Sequence, residues 1–142
     1  MVGIGSDRRK PDNGPMQRTL LHAKLHRVRV TQVEIDYEGS VAIDATLLDA
    51  AGIREYERID VFNVRNGERF STYAIRGEPG SGLISVNGAA AHKAAVDDLI
   101  IICAFGVYEE REAREMKPRL IYVDASNRIV RSSHAIPMQA AR

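Results

Sequence analysis

The chain has no tryptophan, one cysteine and three phenylalanines among 142 residues. A lone thiol excludes a disulfide framework and a cysteine-built zinc site. Cys103 lies in the run Leu99-Ile100-Ile101-Ile102-Cys103-Ala104-Phe105, where a small core residue fits better than a reactive thiolate. Aromatic residues amount to 6%, too few for the interleaved platforms on which single-stranded nucleic acid stacks. No apolar run approaches the ~20 residues of a membrane span, so no membrane-spanning helix is expected. Nor is there an excess of either charge. Lysine and arginine number 20 against 19 acidic residues, a net charge of +1, which gives no overall field to recruit nucleic acid or an anionic membrane.

What is present is 44% hydrophobic and 27% charged, the composition of a globular body. The length suits one domain that buries ~70% of its unfolded surface. Residues 1–15 are polar and unpatterned and read as a disordered leader or tag, so the folded domain is expected to span 16–142. From Leu25 to Ile35 alternation and β-branching predict a strand. Asp44 to Gly52 reads as a short helix with an aspartate N-cap and a glycine stop. Ile59–Val64 and Arg69–Ile75 flank Asn66-Gly67, the pair that suits a type I′ hairpin turn. Leu83–Val86 is a short strand, and Asn87–His92 a turn entering a short helix. Leu99–Val107 fits a strand buried on both faces, with a buried helix as the alternative that periodicity alone leaves open. Glu109–Lys117 is a solvated helix or turn, and Ile121–Val123 pairs with Arg128–Val130. Many short strands with two small helices predict a mainly β fold, a compact barrel.

Taken singly, the polar residues have ordinary explanations. His22 and His26 are four apart, but on a strand that spacing does not put two ligands on one face, so no metal site is expected. Lys24, Arg27 and Arg29 make a basic strand face, which reads as solvated; a small inert barrel that binds nucleic acid through it is the alternative. Gly39-Ser40 alone is a turn, and Tyr37, Tyr73 and Asn87 are strand aromatics and a helix cap.

Their order says more. The words Lys24-Leu25-His26-Arg27, Tyr37-Glu38-Gly39-Ser40, Asn63-Val64-Arg65-Asn66-Gly67, Arg69-Phe70-Ser71-Thr72-Tyr73-Ala74-Ile75 and Ile84-Ser85-Val86-Asn87-Gly88-Ala89-Ala90-Ala91-His92 follow one another without an obvious gap. In this the chain resembles the pyruvoyl-dependent aspartate 1-decarboxylases. The resemblance runs from Met16 to about Phe105, and residues beyond Tyr108 match it poorly.

The resemblance implies a small double-psi β-barrel with short helices, assembled in the cytoplasm as a homotetramer with active sites between subunits. It implies that the chain cleaves itself between Gly39 and Ser40 into 1–39 and 40–142, leaving Ser40 as a covalent pyruvoyl cofactor; a maturation factor remains open as a partner. L-aspartate would form an imine (Schiff base) with that group, lose carbon dioxide and leave as β-alanine for pantothenate synthesis. Such an electron sink is needed because no ordinary side chain delocalises the electrons that decarboxylation leaves on Cα. By resemblance, Gly39, Ser40 and Thr72 serve processing and Tyr73 is the proton donor. Lys24, Arg69, Asn87, Gly88, Ala89 and Ala90 bind substrate, while His26 and Tyr37 line the pocket. Thr72 and Tyr73 fall on opposite faces of a regular strand, so an irregularity is expected there if both serve one site.

Overall fold

The computed structural model describes residues 16–142; the expected leader 1–15 lies outside the described residues. In chain order the elements are β1 (Gln17–Arg29), β2 (Gln32–Glu34), β3 (Val41–Asp44), α1 (Ala45–Ala51), β4 (Arg58–Asn63), β5 (Arg69–Gly77), β6 (Ile84–Asn87), a 3-10 turn (Gly88–Lys93), β7 (Leu99–Glu109), α2 (Glu110–Glu115), β8 (Arg119–Val123) and β9 (Ile129–Ser133). The strands form one sheet in the order β2-β6-β3-β5-β4-β7-β1-β8-β9. The mainly β fold with short helices is the expected one.

The connection between β1 and β2 forces this sheet to curl. The two strands are separated only by Val30 and Thr31, yet β2 lies at one end of the order and β1 beyond β7. The strands between them must therefore curl so that the end of β1 and the start of β2 come together. At the meeting point Val30 N–H donates to the Asp98 carbonyl at 2.9 Å and Thr31 N–H to the Ile84 carbonyl at 2.8 Å. The single strand expected over Leu25–Ile35 is thus two strands at separate places in the sheet, β2 at an edge and β1 between β7 and β8. Before the break, β1 shifts register against β7 between Leu25 and Val28, where Arg27 takes a left-handed φ of 58°; such a bulge bends and twists a strand. The strand also begins earlier than expected, at Gln17, because its exposed first residues pair with the far end of β7, Gln17 opposite Glu109.

Alternation then sorts the side chains. Ala23, Leu25, Ile59, Val61, Ala74, Ile100, Ile102 and Ala104 turn inward and are buried. They meet Leu47, Leu48 and Ala51 of α1 in one core. The outer face carries Arg58, Asp60 and Phe62 opposite Tyr73, Ser71 and Arg69, with Cys103 beside Asp60 and Lys24 beside Cys103. That face opens toward the end of β7, where Phe105 is 42% and Val107 62% exposed. The expectation of burial on both faces therefore holds only for the first part of this strand.

The β4–β5 hairpin forms, but not with a type I′ turn. Its loop has four residues, with Asn63 N–H bonded to the Glu68 carbonyl and Gly67 N–H to the Asn63 carbonyl. Only Gly67 is left-handed, at φ 77°; longer hairpin loops of this kind are commonly built around a type I turn.

Two buried aspartates tie the loops to the barrel. Asp44 caps α1 through the Thr46 N–H at 2.8 Å and also accepts from Gly80 and Gly82 N–H at 2.9 and 2.8 Å. Burial pushes its carboxyl up, but these three backbone donors outweigh burial and hold it below the ordinary carboxylate range. Asp98 is held down to about 2, chiefly by the Arg65 guanidinium and further by Asn63 and the Ala95 N–H, against the opposing effect of burial.

Asp44→Ala strands three backbone donors and removes a helix cap, so it is expected to cost about 2 to 3 kcal/mol in a denaturant titration. Both carboxyls are depressed on folding. Their stabilisation is therefore complete above the unfolded carboxylate range and is lost as pH falls from about 4 toward about 2, so in Asp44→Ala acid unfolding should show a weaker pH dependence over that window.

Candidate functional site

A pocket of about 340 Å³ opens beside the start of β3 and is lined by Tyr37, Glu38, Gly39, Ser40, Phe70, Ser71, Thr72, Tyr73, Asn87, Gly88, Ala89, Ala90 and Lys93. Three elements build it. β3 pairs in parallel with β5, Val41 opposite Ala74, and antiparallel with β6, Val41 opposite Val86. One step before Val41, Ser40 is thereby caught between the two neighbours: its carbonyl accepts from the Asn87 N–H at 2.7 Å, and its hydroxyl touches the Thr72 hydroxyl.

Gly39 is buried and has no left-handed φ. Glycine is favoured here for a different reason than backbone strain. A Cβ at this position would collide with the Ile75 Cδ1 and stand 3.4 Å from Tyr37 Cε2, so the peptide is pressed between β5 and the Tyr37 ring. Gly88, by contrast, does take a left-handed φ of 63°, turning the chain from β6 into the 3-10 turn that carries Ala89 and Ala90 past the pocket.

Thr72 and Tyr73 reach the same site without an irregularity in β5. The pairing with β4 runs without a shift from Phe62 opposite Arg69 to Arg58 opposite Tyr73, so the expected bulge is absent. The reason lies at the other edge of the strand. Pairing with β3 begins only at Ala74, and the segment 38–40 runs along the edge left open. From there Ser40 meets Thr72 on the inner face, while the Tyr73 hydroxyl on the outer face donates to the Glu38 carbonyl at 3.3 Å.

Asn87 is buried at 2% exposure and does not cap the 3-10 turn. Its Oδ1 instead accepts from the Ser85 hydroxyl at 2.6 Å. Among the described residues its Nδ2 has no partner, which leaves an amide donor for whatever enters the pocket.

The remaining candidates lie elsewhere in the single chain. Arg69 is four residues before Tyr73, roughly 13 Å along the strand, and stacks over the Phe62 ring at 4.0 Å. Lys24 is on the same outer face beside Cys103. Burial pushes the Cys103 thiol up, and the charges of Lys24, Asp60 and Arg69 all act on it, which sets these groups close to one another. His26 packs edge-on against Tyr122 at 5.4 Å, with its Nδ1 buried and unbonded. Its pKa is lowered, first by burial and then by Lys24, Arg27 and Arg131. His22 bonds Glu57 at 2.5 Å.

Sequence reasoning passed over Phe70, Ser71, Glu38 and Lys93 as lining residues. Lys93 had a signal, since it directly follows the Asn87–His92 word in a turn whose residues face the pocket. Ser71 had none: its hydroxyl donates to Asp60 at 2.5 Å across a strand pair that only the register reveals.

Comparison with known proteins identifies the family. A family model described as aspartate decarboxylase matches residues 16–130. Proteins named aspartate 1-decarboxylase are similar over 126 residues, 89% of this chain and 100% of theirs: 63% identical in Methylococcus capsulatus, 62% in Tolumonas auensis and 61% in Methylobacillus flagellatus. The likeness thus continues past Tyr108, where the sequence reading had it fade. Gly39, Ser40, Thr72, Tyr73 and the 87–90 turn sit together in the matched region.

Gly39→Ala is expected to cost about 1 to 3 kcal/mol from overpacking, measured as a shift in the denaturation midpoint. Because the obstruction is one terminal methyl, adding Ile75→Val should recover most of that loss, whereas strictly additive losses would show that Ile75 is not the obstacle.

Proposed function

Since the chain belongs to the aspartate decarboxylase family, we propose that Ser40 is the residue it turns into its own electrophile, a pyruvoyl group. The protein decarboxylates L-aspartate to β-alanine, the step by which this family serves pantothenate synthesis; we assign it a cytoplasmic setting. The observation that carries the Ser40 reading is its hydroxyl in contact with Thr72, next to a buried glycine peptide and open to the pocket.

Maturation uses the chain's own atoms. The Ser40 Oγ attacks the Gly39 carbonyl carbon, the C–N bond breaks and an ester forms. Loss of the Ser40 α-proton then expels the Gly39 carboxylate, and water replaces the freed nitrogen, which leaves as ammonia. Thr72 is proposed to hydrogen-bond the group under attack. Gly39 contributes by lacking the Cβ that would disturb the Ile75 packing.

A pyruvoyl ketone at residue 40 would supply an amine-binding electron sink for the pair left on the substrate α-carbon when carbon dioxide departs. Tyr73, with a phenol suited to proton transfer, is proposed to return a proton to the substrate α-carbon. Asn87 orients the reacting group through Nδ2, and the 88–90 backbone and Tyr37 border it. Aspartate has a second carboxylate that a neutral pocket does not recognise. Lys24 and Arg69 are proposed to bind carboxylate, Arg69 in bidentate fashion.

Those two residues lie outside the Ser40 pocket of the same chain, on an outer face that also bares Phe105 and Val107 around a hollow of about 540 Å³ bordered by Thr19, Arg58 and Asp60. We propose that a neighbouring copy covers this face in a homotetramer, so that each site draws Ser40, Thr72, Tyr73 and Asn87 from one chain and Lys24 and Arg69 from the next, with His26 close to the junction.

Intact mass should show the wild-type chain split after Gly39 and Ser40→Ala whole and inactive; an active, whole Ser40→Ala protein would end this reading. Tyr73→Phe is expected to cleave normally but to lose about 10² to 10⁴ in turnover, while Thr72→Ala should impair cleavage first. Full turnover in cleaved Tyr73→Phe would remove Tyr73 as proton donor.

The shared site has its own test. Arg69→Ala should lose about 2 to 5 kcal/mol in kcat/KM, and co-expression with Ser40→Ala should restore much of that activity through mixed assemblies. No recovery in verified mixed tetramers would contradict a site divided between chains.

A further inference from the structure

Among the residues that line the Ser40 pocket, Lys93 is the only one with a cationic side chain and Glu38 the only one with an anionic one. The two halves of Lys93 are held very differently. Its backbone carbonyl is fixed by two amide donors from the β4–β5 hairpin, Asn63 Nδ2 at 3.0 Å and Asn66 Nδ2 at 3.1 Å. Asn63 is itself anchored to buried Asp98 at 2.9 Å. The side chain, by contrast, ends in a surface ion pair, its Nζ 2.8 Å from Glu68 Oε1, with the two side chains 45% and 46% exposed.

An exposed pair of this kind contributes little to stability, so another carboxylate can replace Glu68 at little cost. Lysine suits such an exchange, being a point charge on a flexible four-carbon stem. The backbone anchor sets where the stem starts; its ammonium meets Glu68, and the residue borders the pocket. Building on the decarboxylase reading, we propose that Lys93 is a substrate-binding residue. It takes a carboxylate of the incoming aspartate at the mouth of the Ser40 pocket, and Glu68 is the internal carboxylate it releases to do so.

The roles differ from those of Lys24 and Arg69, which the assembled site receives from a neighbouring chain. Lys93 belongs to the same chain as Ser40 and acts on arrival of the substrate, so it affects KM rather than the chemical step. Glu68 competes with substrate for the same ammonium, and its removal should therefore help binding.

The test is steady-state β-alanine release by the full chain, normalised to the cleaved fraction from intact mass. Lys93→Met should raise KM for aspartate about five- to tenfold with kcat within about twofold, and Lys93→Arg should largely preserve KM. Glu68→Gln should lower KM about two- to threefold, and should have no effect when Lys93 is already methionine. An unchanged KM in Lys93→Met, or a Glu68→Gln variant that raises KM as much, would overturn the proposal, the latter by showing that the pair is only a brace. Succinate, a dicarboxylate with no amine, probes the same contact without chemistry. Its binding to the uncleaved Ser40→Ala chain should weaken about five- to tenfold on adding Lys93→Met, and equal affinities would likewise overturn it. Failure of the wild-type chain to cleave would instead count against the Ser40 reading and would leave the succinate result to decide the role of Lys93.

Discussion

The parallel pairing of β3 with β5 is the constraint on which the site depends. With Val41 opposite Ala74 and Ala42 opposite Ile75, Ser40 stands against Thr72, and Gly39 is pressed on Ile75. A slip of one residue would turn each β3 side chain to the other face, parting Ser40 from Thr72 and turning core residues such as Ile43 outward. Register is fixed from both sides, because β3 also pairs with β6 and ends in Asp44, whose carboxylate grips α1 and the Gly80–Gly82 loop. Hydrophobic burial and a buried charge thus hold one hydroxyl in place.

The same parallel pairing is what local reasoning could not see. The capped helix, the β4–β5 hairpin and the start of β7 are set by neighbours in sequence: Asp44 and Gly52 bound α1, and alternating Ile59, Val61 and Ala74 mark an inner face. Parallel partners are far apart in the chain and leave no local pattern, as with β1 beside β8 or β2 beside β6. The break at Val30-Thr31 is equally silent, since both residues suit a strand and only the order of distant strands in the sheet separates β1 from β2. Tyr73 shows the same limit. Alternation put it on the wrong face for Thr72's site, but the open edge of β5 lets the 38–40 segment touch both faces.

For the site, motif words located Ser40, Gly39, Thr72, Tyr73 and the 87–90 turn, all of which line one pocket. They also named Lys24, His26 and Arg69, which do not line it in the single chain. That division has a physical sense. A barrel this small has a core filled by Leu, Ile and Val side chains and no interior room for substrate, so reactive groups sit on outer edges and faces. The polar face bearing Lys24, Arg69 and Asp60 lies next to exposed Phe105 and Val107 and is the face on which a neighbouring copy is proposed to sit.

The central claim is that residue 40 carries the electrophile. Its most direct measurement is borohydride reduction of the wild-type protein in the presence of L-aspartate, followed by peptide mapping. The account predicts loss of activity together with a substrate-derived amine fixed covalently at residue 40, the first residue of the 40–142 fragment, and no such adduct in Ser40→Ala. Complete inactivation with no substrate-derived adduct at residue 40, or full activity after reduction, would contradict it.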